Sequence, residues 1–148
     1  MKLAVGSDER THLADEVVAD LKRRGHQIEL LGPLAGENLA WPEVAERVAE
    51  RVARGQAQEG IILCWTGTGV SIAANKVPGV RAALCGDAET ARGARKWNHA
   101  NVLVLSLRST SEAVAREILD AWFSTPFGEG EDEANVARVK ALEKKYGG

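Results

Sequence analysis

Along this chain, short runs rich in aliphatic and β-branched residues alternate with longer stretches in which apolar residues recur every three or four positions. That alternation admits few folds. Strands joined through helices pair in parallel, and a parallel sheet needs helices over both of its faces. Strands are predicted over 2–6 (KLAVG), 27–31 (QIELL), 60–64 (GIILC), 80–84 (VRAAL) and 101–105 (NVLVL), and helices near 11–24, 42–54, 70–76, 88–97 and 110–123. Gly25 is a stop signal for the first helix. Pro42 suits the first turn of the second, where Val44, Ala45, Val48, Ala49 and Val52 share one face.

The expected fold is α/β: a doubly wound five-stranded parallel sheet, a Rossmann-like αβα sandwich, with an extra C-terminal helix. That last helix carries a thin apolar stripe, Ala134, Val136, Val139 and Leu142, on an otherwise charged surface. No repeat, low-complexity tract or linker interrupts the sequence, so residues 1–148 read as one domain, with 128–148 an arm suited to docking on a partner subunit.

The 19 basic and 21 acidic residues leave a formal charge of -2, which gives no reason to expect a nucleic-acid or anionic-membrane partner. No window approaches the roughly 20 apolar residues of a membrane span, and MKLAVGSDER runs straight into charge without a signal-peptide core. A soluble, cytoplasmic protein is expected. Two cysteines, Cys64 and Cys85, make neither a disulfide framework nor a zinc-ligand spacing, so neither metal nor disulfide is expected.

In a doubly wound sheet, ligands bind beyond the carboxyl ends of the strands, where strand order reverses. This selects Gly6 to Glu9, Cys64 to Ser71, Cys85 to Asp87 and Ser106 to Arg108. The segment CWTGTGVSIAANK, residues 64–76, opens a helix, so the amides of Gly67, Thr68, Gly69, Val70 and Ser71 are expected to face the crevice and attract negative charge. It is neither a Walker A loop nor a dinucleotide fingerprint, which disfavours a nucleotide-binding module. Cys64 lies just before these amides, which can depress a thiol pKa and make it a base or nucleophile; the plainer alternative is a buried strand-end hydrophobe. Cys85 has no donor loop behind it and is assigned to the core.

CWTGTGVSIAANK, followed by GVRAALC and NHANVLVL, resembles the type B ribose-5-phosphate isomerase and galactose-6-phosphate isomerase family, whose loop reads C-G-T-G-x-G-x-S-I-A-A-N-K. The likeness runs from about residue 6 to about 123. It implies an aldose-ketose isomerase with no metal or organic cofactor, acting on a sugar phosphate through a cis-enediolate. By resemblance Cys64 is the base, the amides of Gly67 to Ser71 hold the enediolate oxygen, and Thr66 assists ring opening. Asp8 matches an aspartate that contacts substrate hydroxyls, its alternative being a helix cap. Asn98 matches a sugar-binding asparagine, Asn101 a turn residue, and Arg108 and Arg138 match phosphate ligands. The family's homodimers, in which the neighbouring subunit completes the site, imply a homodimer or dimer of dimers with Arg138 reaching the partner.

Three departures bear on substrate. Glu9 and Trp97 stand where the family has histidines, the second being the ring-opening one, and EDEANVARV keeps Arg138 while Ala134 and Asn135 replace another arginine-histidine pair. His99 is one position from the lost histidine, its alternative being a plain surface histidine or one that only supports its neighbours. These changes suit either a shorter, open-chain sugar phosphate or an unphosphorylated sugar, and they motivate a second reading, a catalytically silent sugar binder.

Overall fold

The structure, a computed structural model, describes residues 1–147. Five parallel strands, β1 (Lys2–Ser7), β2 (Gln27–Leu31), β3 (Glu59–Cys64), β4 (Ala82–Leu84) and β5 (Val102–Ser106), lie in the order β2-β1-β3-β5-β4. Six helices connect and follow them: α1 (His12–Arg23), α2 (Trp41–Ala53), α3 (Thr68–Ala74), α4 (Ala88–Asn98), α5 (Glu112–Ser124) and α6 (Glu131–Tyr146). The predicted doubly wound sheet and C-terminal helix are all present.

The pleat divides the core in two. Leu3, Val5, Ile61, Leu63, Leu103 and Leu105 face α1, α4 and α5, whereas Ala4, Ile62, Val102 and Val104 face α2 and α3. Both faces are covered, which is why the central strands read as unbroken apolar runs rather than alternating ones. Trp122 of α5 is fully buried and hydrogen-bonds through Nε1 to Glu59 at 2.8 Å. The same glutamate pairs with Arg95 of α4 at 3.0 Å, and the Arg95 guanidinium lies 4.9 Å and 4.3 Å from the Trp122 and Phe127 ring centres. This charged cluster ties the start of β3 to two helices and to the strap before α6.

Two boundaries differ from expectation. The fourth strand spans only Ala82–Leu84, because Asn101 supplies the hydrogen bonds ahead of it: its Oδ1 accepts from Arg81 N at 2.8 Å and its Nδ2 donates to Gly79 O at 3.0 Å. On the outer side, the Asn75 amide pairs with both the N–H and the C=O of Ala82, at 2.8 and 3.0 Å, and so covers an edge that would otherwise be open. The third helix starts at Thr68, two residues early, because Gly67 takes a left-handed N-cap conformation at φ 82°.

The C-terminal arm lies against its own chain, and α6 buries only Val136. Gly79 N donates to Glu143 near its far end, while Val139, Leu142 and Tyr146 are exposed.

Candidate active site

The strand order reverses between β1 and β3, so the chain segments that leave these two strands part in opposite directions and open a crevice at their carboxyl ends. Asp8 follows β1 and Cys64 ends β3. Beside them, Ser106 ends β5 and Arg108 follows it, and the loops interlock. Leu107 N donates to Cys64 O and Arg108 N to Trp65 O, both at 2.9 Å, and Ser106 Oγ donates to Trp65 O at 3.0 Å. The position of Cys64 is thus fixed by the sheet and the loop hydrogen-bonded to it.

The Cys64 side chain is mostly buried. Burial pushes its thiol above the ordinary value of 9.0, hydrogen bonding from the Gly67 and Val70 amides pulls it down, and the Asp8 carboxylate beside it pushes it up again. The expectation of a depressed pKa is therefore reversed: the Gly67 and Val70 amides pull the thiol down, but burial outweighs them. Cys85, by contrast, is pushed up to about 12 by burial and lies in the core, as assigned.

Asp8 does not cap α1, whose N-cap is Thr11. Its Oδ2 accepts from Trp65 N at 3.4 Å, and its Oδ1 is buried without a hydrogen-bond partner among the described residues. A buried, unsatisfied carboxylate oxygen is costly to a fold, and such atoms concentrate at functional sites. Thr66 and Thr68 share a hydrogen bond between hydroxyls at 2.9 Å on the lip of the loop. Of the five amides expected to face the crevice, that of Ser71 already donates to Gly67 O at 3.3 Å. The side chains of Glu9 and Arg108 are exposed at the same end of the sheet.

Trp97, Asn98, His99 and Arg138 are not in this crevice. Helix α4 begins at the carboxyl end of the sheet and returns to its amino end, so its last residues lie near Val102, at the start of β5. Val102 pairs with Gly60 and Ser106 with Cys64, a separation of four residues or about 13 Å along the strands. The resemblance grouped Trp97 and Asn98 with Cys64 and sent Arg138 to a partner's site; within one chain all of them lie apart from Cys64. Trp97 and Asn98 instead line a groove of about 700 Å³ with Asn135, Val139 and Lys140 of α6. Arg138 is exposed and bonds only to Asn135 of the same helix among the described residues, at 2.6 Å. His99 is the left-handed C-cap of α4, stacked on Phe127, with Nε2 2.8 Å from Gly128 O. It anchors the strap before α6.

Among the described residues, no group of three or more His, Cys, Asp or Glu stands close enough together to hold a metal ion, and no helix is long and apolar enough to cross a membrane.

Gly67 is the loop's most constrained residue. At φ 82° an alanine costs about 1–2 kcal/mol of backbone strain, and its Cβ would lie 2.6 Å from Leu84 Cδ1. Gly67→Ala is expected to lower the unfolding midpoint by several degrees, read by thermal denaturation, and to reduce turnover of any substrate that uses these amides.

A thiol and an unpartnered carboxylate oxygen meeting beside a loop of backbone amides, at the switch point of a doubly wound sheet, define an α/β enzyme site. The model of the family described as Ribose/Galactose Isomerase matches residues 3–142, and the chain belongs to that family. Ribose-5-phosphate isomerase B of Escherichia coli is 36% identical, with 97% of each chain covered. D-erythrulose-4-phosphate isomerase of Pectobacterium atrosepticum is 36% identical over 94% of this chain and 93% of its own. The solved ribose-5-phosphate isomerase B of Clostridium thermocellum superposes with a TM-score of 0.91 at 39% identity, covering 99% of both chains. This protein is accordingly an enzyme of the aldose-ketose isomerase class, an intramolecular oxidoreductase.

Proposed function

We propose that the enzyme interconverts the aldose and ketose forms of a sugar phosphate through a cis-enediolate, with Cys64 as the base. The observation that carries this reading is the Cys64 sulfur, held between the Gly67 and Val70 amides and the Asp8 carboxylate. In the aldose-to-ketose direction the thiolate takes the proton from C2, and the electron pair of that C–H bond forms the C1–C2 double bond of the enediolate. Amides of the loop from Gly67 to Val70 hold the developing oxyanion, an effect worth about 3–4 kcal/mol per donor in comparable sites. The hydroxyl proton passes from O2 to O1, the C1–C2 double-bond pair takes the proton back from the thiol at C1, and the O2 lone pair closes to a carbonyl at C2, leaving a hydroxyl on C1 and the thiolate regenerated. Asp8 Oδ1 accepts a substrate hydroxyl, Thr66 assists ring opening where a ring is present, and Arg108 meets the phosphate. Glu9, beside Asp8, sets what is tolerated at that end. No cofactor is required by this chemistry, and two free cysteines fit a reducing cytoplasm.

Within that class an open-chain substrate fits best. Trp97 has no imidazole to serve ring opening, and a tetrose 4-phosphate, with O4 esterified, has no hydroxyl able to close a five-membered ring. The Pectobacterium relative is a D-erythrulose-4-phosphate isomerase by name. Turnover assays on phosphorylated and free tetroses, pentoses and hexoses test this, with turnover confined to phosphorylated substrates and highest for a tetrose phosphate as the expected result. Thermal stabilisation by a sugar phosphate without turnover of any of them would favour the silent binder.

We further propose that the working unit is a homodimer, or a dimer of such dimers, in which Trp97, Asn98 and Arg138 of one protomer complete the partner's crevice, with residues 128–148 as the docking arm. The apolar residues exposed on α6 support this, as does the distance between the two groups within one chain. Mixing the inactive variants C64A and R138A under exchanging conditions is expected to restore up to about a quarter of wild-type activity, since half the sites of each heterodimer are intact in a two-fold assembly. No recovery, with a monomer by light scattering, would contradict it.

A further inference from the structure

Trp41 is the first residue of α2, at the carboxyl end of the sheet, and its ring lies on the backbone of the loop after β3. A Cβ at Gly69 would stand 3.0 Å from Trp41 Cζ3 and 3.2 Å from both Cε3 and Cη2. Gly69, unlike Gly67, does not have a positive φ. A side chain here would therefore press on the indole, which would have to shift by a few tenths of an ångström to admit it.

Two further facts show that this contact matters locally. The N-terminus of α3 has no side-chain cap, so no hydroxyl or carboxylate of its own fixes the first turn. Trp41 is 45% exposed, one part of the indole on the loop and the rest open at the surface. A tryptophan left this open contributes less to the core than a buried one, yet Pro42 behind it stiffens the entry to the helix. Leu84 reaches Gly67 from the end of β4, so the loop is gripped by one apolar side chain from each side.

We propose that Trp41 is a positioning residue for the isomerisation. Its ring holds the Gly69 backbone so that the Thr68, Gly69 and Val70 amides keep a fixed direction, and it shields them from water on the α2 side. The argument is that donors stabilise an oxyanion in proportion to how little they must reorganise when charge develops, and water competing for the same amides removes that advantage. The proposal rests on the reading of this loop as the oxyanion cradle.

The test is a set of four proteins: W41A, W41F, G69A and the double variant W41A/G69A. W41A is expected to lower kcat at least about tenfold with KM changed less than about threefold, and W41F to recover most of the loss, because a ring that contacts Gly69 is restored. G69A is expected to cost kcat in the wild-type background, where its methyl group displaces the indole, and little more in the W41A background. A second readout needs no substrate: amide hydrogen exchange at Gly69 and Val70, followed by NMR, is expected to speed up about tenfold or more in W41A and not in W41F. Unchanged kcat in W41A, an equal cost of G69A in both backgrounds, or unchanged exchange would each overturn the proposal. Absence of turnover in the wild type would instead overturn the proposed function and leave the exchange measurement to decide the role of Trp41.

Discussion

Cys64→Ala is expected to reduce kcat by about a thousandfold or more while leaving the fold and the affinity for a sugar phosphate nearly intact. General-base catalysis contributes about 10²–10⁴ in rate, and the crevice offers no second group in position to replace it. Asp8 is close, but in the proposed mechanism it accepts a substrate hydroxyl, and a carboxylate is a weaker base than a thiolate. The wild-type pH profile should carry the same signature. Burial and Asp8 raise the Cys64 pKa, so the thiolate fraction, and with it kcat/KM, rises as pH increases through the thiol's elevated pKa and falls as pH drops below it. Substrate charge cannot mimic this limb, since a phosphate monoester titrates near pH 6. In C64A the alkaline rise should vanish with the activity. Because Cys64 is small and at a strand end, its loss to alanine should cost the fold about 1 kcal/mol or less.

The largest effect on stability is expected at the opposite end of the sheet. Glu59 and Arg95 expose only 8% and 12% of their side chains, and Glu59 also accepts the Trp122 indole N–H. Glu59→Ala removes both partners' acceptor and leaves a guanidinium buried between two aromatic rings without its counter-charge. Breaking a buried pair from one side costs about 3–5 kcal/mol, against a total stability of about 5–15 kcal/mol for a domain of this size. The unfolding midpoint should fall by about 10 °C or more. The double substitution Glu59→Leu with Arg95→Met should recover much of the loss, because two desolvated charges leave together. If the single variant unfolds within about 2 °C of wild type, the cluster is solvated more than its burial implies. None of these residues touches the crevice, so residual activity per folded molecule should be unchanged.

The fold was legible because its signal is repeated. Five apolar runs and their intervening amphipathic helices each point to the same parallel sheet, and an error at one boundary changes nothing at the others. The fourth strand came out short because the Asn101 and Asn75 side chains replace backbone partners there, an exchange that apolar periodicity cannot register. The upper half of the site was legible for a related reason: Asp8, Cys64 and the glycine loop follow strands, so the switch-point rule collects them.

The lower half was not. Trp97 and Asn98 share a motif family with Cys64 but lie at the other end of the strands, as does Arg138, which the resemblance had already assigned to a partner's site; a linear sequence does not say which end of a helix faces which end of a sheet until the strand order is known. Trp41 was missed because an isolated tryptophan beside a proline carries no chemical signature, and only the ring's contact with Gly69 reveals it. The thiol's pKa was misjudged because the loop amides are visible in the sequence and the depth of burial is not.

The central claim, that Cys64 moves a proton between adjacent carbons of a sugar phosphate, is tested most directly by running the isomerisation in D2O and locating deuterium by NMR. A thiol exchanges with solvent, so deuterium should enter the product at the carbon that receives the proton, and the exchange should persist in substrate recovered before equilibrium. C64A should show neither exchange nor product. Deuterium exchange or product formation retained in C64A would assign the base elsewhere and would contradict the account.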